Sequence, residues 1–333
     1  MPHKPRTAMA LTAIIGQTDA RQVACLLYTA LEGTPGIKPG IIGPDCPALS
    51  CVEALSAHLS KLAARGTTHA ILVLDRPALA RRLCTDLRIS VAAPVGQAAG
   101  WQESALALAH TDIAILDLDE AGQPDFPAAL PPHTFTYSEN KAFADLTARN
   151  LRSFPGHTEF EAVATGQIRR IHLPVCGGFA VYHALCALSC GLCLGLELGQ
   201  MARLLRVARG PAGCMEVLSI PAAYTVLLDR AGDLHSLERA LTVARSFTAR
   251  RLVCLLDCCG NDRPMEELAA QLADCVLPFG GERCPRQQAI IRGLDRAHPG
   301  DVLVLTGADG GAQERAFIRA CAHNRALRQR QRT

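Results

Sequence analysis

The residues that could do chemistry begin at Gly16, inside the stretch from Leu11 to Glu32, LTAIIGQTDARQVACLLYTALE. An apolar run halts at a glycine and resumes with helical spacing. Leu11 to Ile15 reads as a short buried strand, Gly16 to Arg21 as a tight polar turn, and Val23 to Leu31 as a helix. That is the layout of a phosphate-binding loop, in which backbone N–H groups and a helix N-terminus hold the phosphates. A lysine just ahead of a Ser or Thr then neutralises the transferred group and positions the metal. Gly16, Thr18 and Arg21 are the candidate phosphate contacts. The turn nevertheless reads Thr18-Asp19-Ala20-Arg21-Gln22, with no lysine and no hydroxyl after it. Asp19 also sets a carboxylate where an anion belongs, and like charges in a confined site repel.

Cysteines offer a second chemistry. Cys186, Cys190 and Cys193 have the C-x3-C-x2-C spacing by which radical enzymes hold an iron–sulfur cluster. They fall inside an Ala/Leu helix, where positions i, i+4 and i+7 mark one buried face, so core packing is the competing reading. Cys254, Cys258 and Cys259 follow a strand and lack a partner pair at zinc-site spacing. Fifteen cysteines without an export signal read as reduced thiols filling core space.

The elements that position these residues alternate along 333 residues, enough for two ordinary domains. The apolar fraction is 49% and the charged fraction 20%, which describes a globular protein. A net charge of +3 is too small to argue for nucleic acid. The basic residues Arg325, Arg328, Arg330 and Arg332 read as a solvated helix end or frayed tail. The basic N-terminus leads straight into the first strand and not into a signal peptide. Ala180 to Leu198, the most apolar later window, contains His183 and Glu197 and reads as a core helix. No membrane span and a cytoplasmic location are the expectation.

After the first helix comes a Gly/Pro-rich connection with a short strand at Ile41 and Ile42. A helix over Ser50 to Arg65 follows, with Ser50 and Glu53 at capping-box spacing and Gly66 ending it. Ala70 to Leu74 reads as a strand, Pro77 to Leu87 as a helix, Val91 to Val95 and Ile113 to Leu116 as strands, the last ending at Asp117 and Asp119. This alternation predicts a parallel sheet covered on both faces. From Thr134 the pieces TFTYS, FEAVAT and IRRIHLPV suit a small antiparallel addition. Helices follow over Phe179 to Leu194 and Leu198 to Val207, and Gly210 to Gly213 is the expected domain boundary. Beyond it strands at 224–228, 252–256, 276–277 and 302–305 alternate with helices at 236–248, 264–272 and 286–297, a smaller Rossmann-like α/β unit. The expected domains are thus 1–209 and 210–333.

Several local strings, in order, resemble the Mur ligases, most closely the UDP-N-acetylmuramoyl-tripeptide synthetase type. The loop turn stands in the place of that family's GTNGKT. GGFAVYHALCAL, Gly177 to Leu188, is similar to its G-x-F-N-x-x-N-A-L-A-A segment. GPAGCME, Gly210 to Glu216, resembles the domain-joining G-V-P-G-R-M-E. LDRAGDLHSLE, Leu228 to Glu238, follows its D-Y-A-H-x-P-x-S-L-E, and Arg263-Pro264 resembles its K-R-P turn. The resemblance covers roughly Ala8 to Gly311, the central and C-terminal domains. With no domain ahead of the loop, it implies that the usual UDP-sugar site is lacking.

The resemblance implies a ligase that phosphorylates a carboxylate with ATP and lets an amine displace the phosphate, using magnesium and a loop lysine. The matched positions do not carry that equipment. The lysine falls on Ala20, with Arg21 beside it. The metal-binding glutamate falls at about Val73 and the nearby histidine on Pro77. The two asparagines are Ala180 and His183, the arginine of G-R-M-E is Cys214, and the histidine of D-Y-A-H is Gly232. Between Val95 and Asp112 the chain is too short for the segment that carries the family's carbamylated lysine, and LPFGGERCPR does not match the amino-acid-reading D-N-P-R. Asp229 and Arg263 survive as vestigial catalytic candidates, or else as a strand-end cap and a helix start. Catalytic groups act as a unit, so loss at every polar position removes the activity.

Three functions therefore stand in order. The first is a catalytically degenerate, Mur-ligase-like binding or regulatory protein of peptidoglycan-precursor metabolism. It would have no cofactor and would partner a cell-wall ligase or another protein, and an exposed apolar patch is expected where the lacking domain would pack. The second is an active ATP- and magnesium-dependent acid–amino-acid ligase that uses Arg21 in a rearranged site. The third is an iron–sulfur or metal enzyme built on Cys186, Cys190 and Cys193.

Overall fold

The computed structural model describes the chain except residues 1–8, 17, 85–86, 97–110, 120–132, 155, 165, 178, 211–212, 259–262, 282, 308–310 and 331–333. It forms two compact units. Unit 1 holds Met1–Arg152, Glu159–Pro174 and Phe179–Arg209, and unit 2 holds Ser153–Thr158, Val175–Gly178 and Gly210–Thr333.

Unit 1 is built on a nine-stranded sheet in the order β2-β3-β1-β4-β5-β6-β7-β8-β9. The strands are β1 (Ala10–Ile15), β2 (Pro39–Ile42), β3 (His69–Leu74), β4 (Ile89–Pro94), β5 (Thr111–Asp117), β6 (Thr134–Ser138), β7 (Leu146–Phe154), β8 (His157–Ala164) and β9 (Gln167–Leu173). β1 lies between β3 and β4 and pairs parallel with both, so its residues are covered on either face. That placement explains the unbroken apolar run: Leu11, Ala13 and Ile15 join one core layer with Leu49, Leu55 and Leu72, while Thr12 and Ile14 point to the opposite layer. Ile14 and Ile15 are fully buried, each worth roughly 1.5–3 kcal/mol.

The helices of unit 1 are α1 (Thr18–Glu32), α2 (Val52–Ala64), α3 (Arg76–Ala80), α4 (Phe179–Cys193) and α5 (Leu198–Leu204). α4 packs against α1 and against β4, β5 and β6. Most of its residues are buried, as its uniformly apolar composition requires.

Several expectations need correcting. α1 starts at Thr18 and not at Val23, because Asp19 puts a negative charge in the first turn, where the helix dipole favours it. The Ser50–Glu53 capping box does not form: Ser50 closes a short 3-10 turn over Pro47–Ser50, and the cap position of α2 is Cys51. The helix expected over Pro77 to Leu87 is five residues long. Asp75 caps it by accepting the Ala78 N–H at 3.0 Å, and Arg82 ends the segment at φ 53°. TFTYS is not antiparallel: β6 pairs parallel with β5 and β7, extending the parallel sheet. Only β7 to β9 remain for the antiparallel arm, since their two-residue connections cannot join parallel neighbours.

Unit 2 carries a five-stranded sheet in the order β10-β11-β14-β12-β13. Its strands are β10 (Glu216–Leu218), β11 (Thr225–Leu228), β12 (Leu252–Asp257), β13 (Cys275–Phe279) and β14 (Val302–Leu305). β10 pairs antiparallel with β11, and the remaining pairs are parallel. Its helices are α6 (Leu234–Ser246), α7 (Arg263–Leu272), α8 (Arg286–Arg296) and α9 (Ala312–Arg330). Successive strand residues face opposite cores: Leu227, Cys254 and Val304 meet α6 and α7, while Val226, Leu255 and Leu303 meet Ile290, Leu294 and Ile318 of α8 and α9.

Of the basic C-terminal run, Arg325, Arg328 and Arg330 lie on α9, in keeping with the helix-end reading, and Arg332 lies outside the described residues. Arg325 donates to the Ala297 carbonyl and lies 5.3 Å over the Tyr224 ring. Among the described residues no helix is long and apolar enough to cross a membrane.

Candidate functional site

In unit 1 the carboxyl ends of the parallel strands converge where the direction of strand progression reverses, at β1, and open α/β sheets meet their ligands at such a point. The turn after β1 is built by Gly16. Its N–H donates to the Leu74 carbonyl at 2.9 Å, its φ is 150°, and a Cβ there would stand 2.4 Å from the Val95 oxygen. Only glycine fits. Gln17 and the Thr18 side chain lie outside the described residues.

Asp19 stands in the first turn of α1, beside the turn expected to cradle a phosphate. Its Oδ1 is 3.0 Å from Nε2 of His183 on α4, and its Oδ2 lies so close to Gly96 that a Cβ there would meet it at 3.1 Å. A carboxylate only accepts, so Nε2 of His183 carries the proton of this contact. His183 is 4% exposed and its Nδ1 is buried without a hydrogen-bond partner. Ala20, at the position matched to the loop lysine, is fully buried. The Arg21 guanidinium, the other candidate cation of the loop, is paired at 2.8 Å with the exposed Asp45.

Among the described residues, Asp19 sets a negative charge at this turn. A phosphate oxygen placed about 4 Å from Asp19 would meet a repulsion on the order of 4 kcal/mol per unit charge at an effective dielectric of 20. No ammonium is at hand in the matched position to offset it. The metal-binding glutamate is likewise replaced by Val73, buried within β3.

Sequence reading missed a second cluster on the same sheet edge. The Asp119 carboxylate accepts Ser138 Oγ at 2.6 Å and the Glu139 N–H at 2.8 Å, and Asp117 accepts the Asp119 N–H at 2.8 Å. Ser138 Oγ in turn accepts the N–H groups of Asn140 and Lys141, and the Lys141 ammonium donates to the Leu118 carbonyl. Burial pushes the Tyr182 hydroxyl well above its ordinary range, with the Glu139, Asp119 and Asp117 carboxylates adding to it. Burial also raises the Glu139 carboxyl; the Tyr182 hydroxyl pulls partly back and the Asp119 charge adds. The sequence signal was available in two acids at the end of β5 and in Tyr182 and His183, adjacent near the start of α4.

Asp229 and Arg263 belong to unit 2. Asp229 sits buried just after β11, where its carboxylate accepts the N–H groups of Met215 at 2.9 Å and Ala231 at 2.8 Å. Arg263 opens α7 with its side chain 88% exposed, 3.4 Å from Glu267 one turn on. Cys214, matched to an arginine, is buried.

Cys186 and Cys190 are fully buried on α4, and Cys193 lies near its end. A hydrogen bond with Cys186 and burial push the Cys190 thiol far up, and burial takes Cys193 to about 11. Burial raises Cys254 to about 12 and Cys258 to about 11; Cys259 lies outside the described residues. Burial in an apolar core disfavours the thiolate, the form that attacks and ligates.

No protein-family model matches the chain. The UDP-N-acetylmuramoyl-L-alanyl-D-glutamate--2,6-diaminopimelate ligase of Bacillus velezensis is 29% identical over 194 residues, 56% of this chain and 39% of that protein. The chain spans about a third to two fifths of the first curated relatives it matches, 33% of one and 39% of another. A solved UDP-N-acetylmuramoyl-L-alanyl-D-glutamate--2,6-diaminopimelate ligase superposes with a TM-score of 0.72 at 17% identity, over 96% of this chain and 79% of that one. The MurF ligase from Thermotoga maritima, solved with ADP, gives 0.71 at 15% identity, over 96% and 81%. The fold is that of the Mur ligases, and about half of the chain is related to them in sequence.

Proposed function

We infer that this Mur-ligase-like chain does not ligate, and that it acts as a binding or regulatory protein in the handling of peptidoglycan precursors. The observation that carries this is the Asp19 carboxylate paired with His183 in the first turn of α1, at the loop that the resemblance assigns to the nucleotide phosphates. Ala20 at the lysine position and Val73 at the glutamate position support it, because electrostatic stabilisation of a transferred phosphoryl group is most of what such an enzyme supplies. The link to cell-wall precursors rests on the relatives, which are ligases of that pathway by name.

Without ATP chemistry, what remains is recognition, of a precursor or of a protein such as a working cell-wall ligase. Unit 1 exposes Phe143 at 79%, Val207 at 73% and Ile168 at 57%. Single exposed apolar side chains are ordinary and do not by themselves mark a partner surface. The rival reading, an active ATP-dependent ligase with a rearranged site, needs Arg21 to leave Asp45 and Asp19 to leave His183.

Phosphate release with Mg-ATP and muropeptide acceptors tests the choice. The expected result is release no faster than in buffer. Acceptor-dependent release that disappears in Arg21→Ala would establish the rival.

A further inference from the structure

The first turn of α1 is not merely stripped of ligand-binding groups; it holds a carboxylate with a partner of its own. Asp19 and His183 both stand at positions where the strings GQTDARQ and GGFAVYHALCAL depart from the ligase pattern they otherwise follow. The two departures are complementary and touch, at 3.0 Å. An acid in the first turn of α1 needs no such partner, since the helix dipole and water suffice for it. A buried histidine with one ring nitrogen unpaired is a liability by itself, so its place in the core is accounted for by what the other nitrogen holds.

The carboxylate also spans elements. One oxygen reaches α4 through His183, and the other lies against the backbone of Gly96 just past β4. A phosphate seated in a loop of this shape ties together the same kinds of part, a helix N-terminus and the neighbouring strand ends. We propose that the Asp19–His183 pair is a latch that fixes the first turn of α1, from Asp19 on, against α4 and the end of β4, in the role a bound phosphate would otherwise take. The proposal rests on the reading that the loop takes no nucleotide.

The test is a double-mutant cycle on the full chain, with Asp19→Asn, His183→Gln and the double variant followed by urea unfolding and by amide exchange in Asp19 to Gln22. Each single variant should lower the urea midpoint and speed exchange roughly tenfold, and the double should cost little more than the larger single. Additive effects, or exchange unchanged in the singles, would overturn the latch. A second measurement covers variants that fold poorly. In Asp19→Ala, added formate should raise the melting temperature by refilling the place of the carboxylate, and should do so neither in wild type nor in Asp19→Ala with His183→Gln. Equal shifts in all three would also overturn it.

The same samples with Mg-ATP separate the two claims. Stabilisation of wild type by Mg-ATP defeats the premise that the loop takes no nucleotide whatever the cycle shows, and an additive cycle without such stabilisation defeats the latch alone.

Discussion

Both sheets of this chain end in charged clusters at their carboxyl edges, and the two clusters are built differently. In unit 2 a single arginine does the joining: Arg286 Nη1 donates to the Thr306 carbonyl at 3.1 Å and to Asp257 at 3.3 Å, and Nε donates to Glu314. Its guanidinium lies 5.1 Å over the Phe279 ring. Gly307 is needed beside it, since at φ 61° a Cβ would strike Asp257 at 2.5 Å. This is a clasp, with charges of both signs and a ring beneath. In unit 1 the edge carries Asp19, Asp117, Asp119 and Glu139 against one lysine, and Asp19 meets the buried His183 across to α4; both regions leave buried polar atoms unpaired, His183 Nδ1 in one and Arg286 Nη2 and Glu314 Oε2 in the other. The clasp gathers two carboxylates on one guanidinium packed over a ring. The unit 1 edge sets a glycine turn beside a surplus of carboxylates, the feature on which the proposed loss of nucleotide binding rests.

The largest effect that would sharpen this contrast is expected in unit 2. Arg286→Ala leaves Asp257 and Glu314 without their shared cation, and should cost about 2–3 kcal/mol in urea unfolding, below the value for a fully buried pair because Arg286 is 27% exposed. A loss under ~0.5 kcal/mol would show that the clasp is no stronger than a surface contact. Next comes His183→Ala, which removes the Asp19 contact and opens space between α1 and α4. A destabilisation of about 1–2 kcal/mol follows from the lost hydrogen bond and packing.

Acid titration should split the two regions by sign. Burial alone would push the Asp301 carboxyl up, but the Arg251 guanidinium at 2.6 Å and the His298 N–H outweigh it and hold it below its ordinary 3.8. A depressed carboxyl contributes stability that is present above the unfolded value and is lost as pH falls through the folded one. Glu139 is raised above 4.5, so its contribution is gained as pH falls through the folded value and is complete below 4.5. Asp301→Asn should therefore flatten the acid loss of stability. Glu139→Gln should abolish a gain on mild acidification, and a pH profile unchanged by either substitution would contradict these assignments.

The smallest effect belongs to exposed groups. Arg263→Ala should leave the melting temperature unmoved, and Arg21→Ala should cost less than ~1 kcal/mol, because Asp45 is 82% exposed and the pair is screened.

Much of the sheet was legible in the sequence because parallel strands are continuous apolar runs: Leu11 to Ile15, Ala70 to Leu74 and Val302 to Leu305 lie within strands one or two residues of those bounds. Helix starts were harder. Thr18 to Gln22 reads as a polar turn because the apolar period begins only at Val23, while the helix begins where Asp19 meets its dipole. The direction of β6 could not be read either, since TFTYS is short and alternates polar and apolar residues as an antiparallel edge would, and so short a link to β7 suggests a hairpin where the pairing is parallel. At the site, Asp19 was visible as a misplaced charge. Its partner was not, because His183 reads locally as one more residue of a buried helix. The contact across the unit is a tertiary fact, as is the convergence of Asp119, Ser138 and Tyr182.

The central claim is that the β1–α1 loop takes no nucleotide because the chain's own carboxylate stands beside it. Calorimetric titration of the purified chain with ATP and magnesium measures this directly. The account predicts heats indistinguishable from dilution. A saturable, magnesium-dependent heat of one site per chain, reduced by a substitution at Gly16 or Arg21, would contradict it.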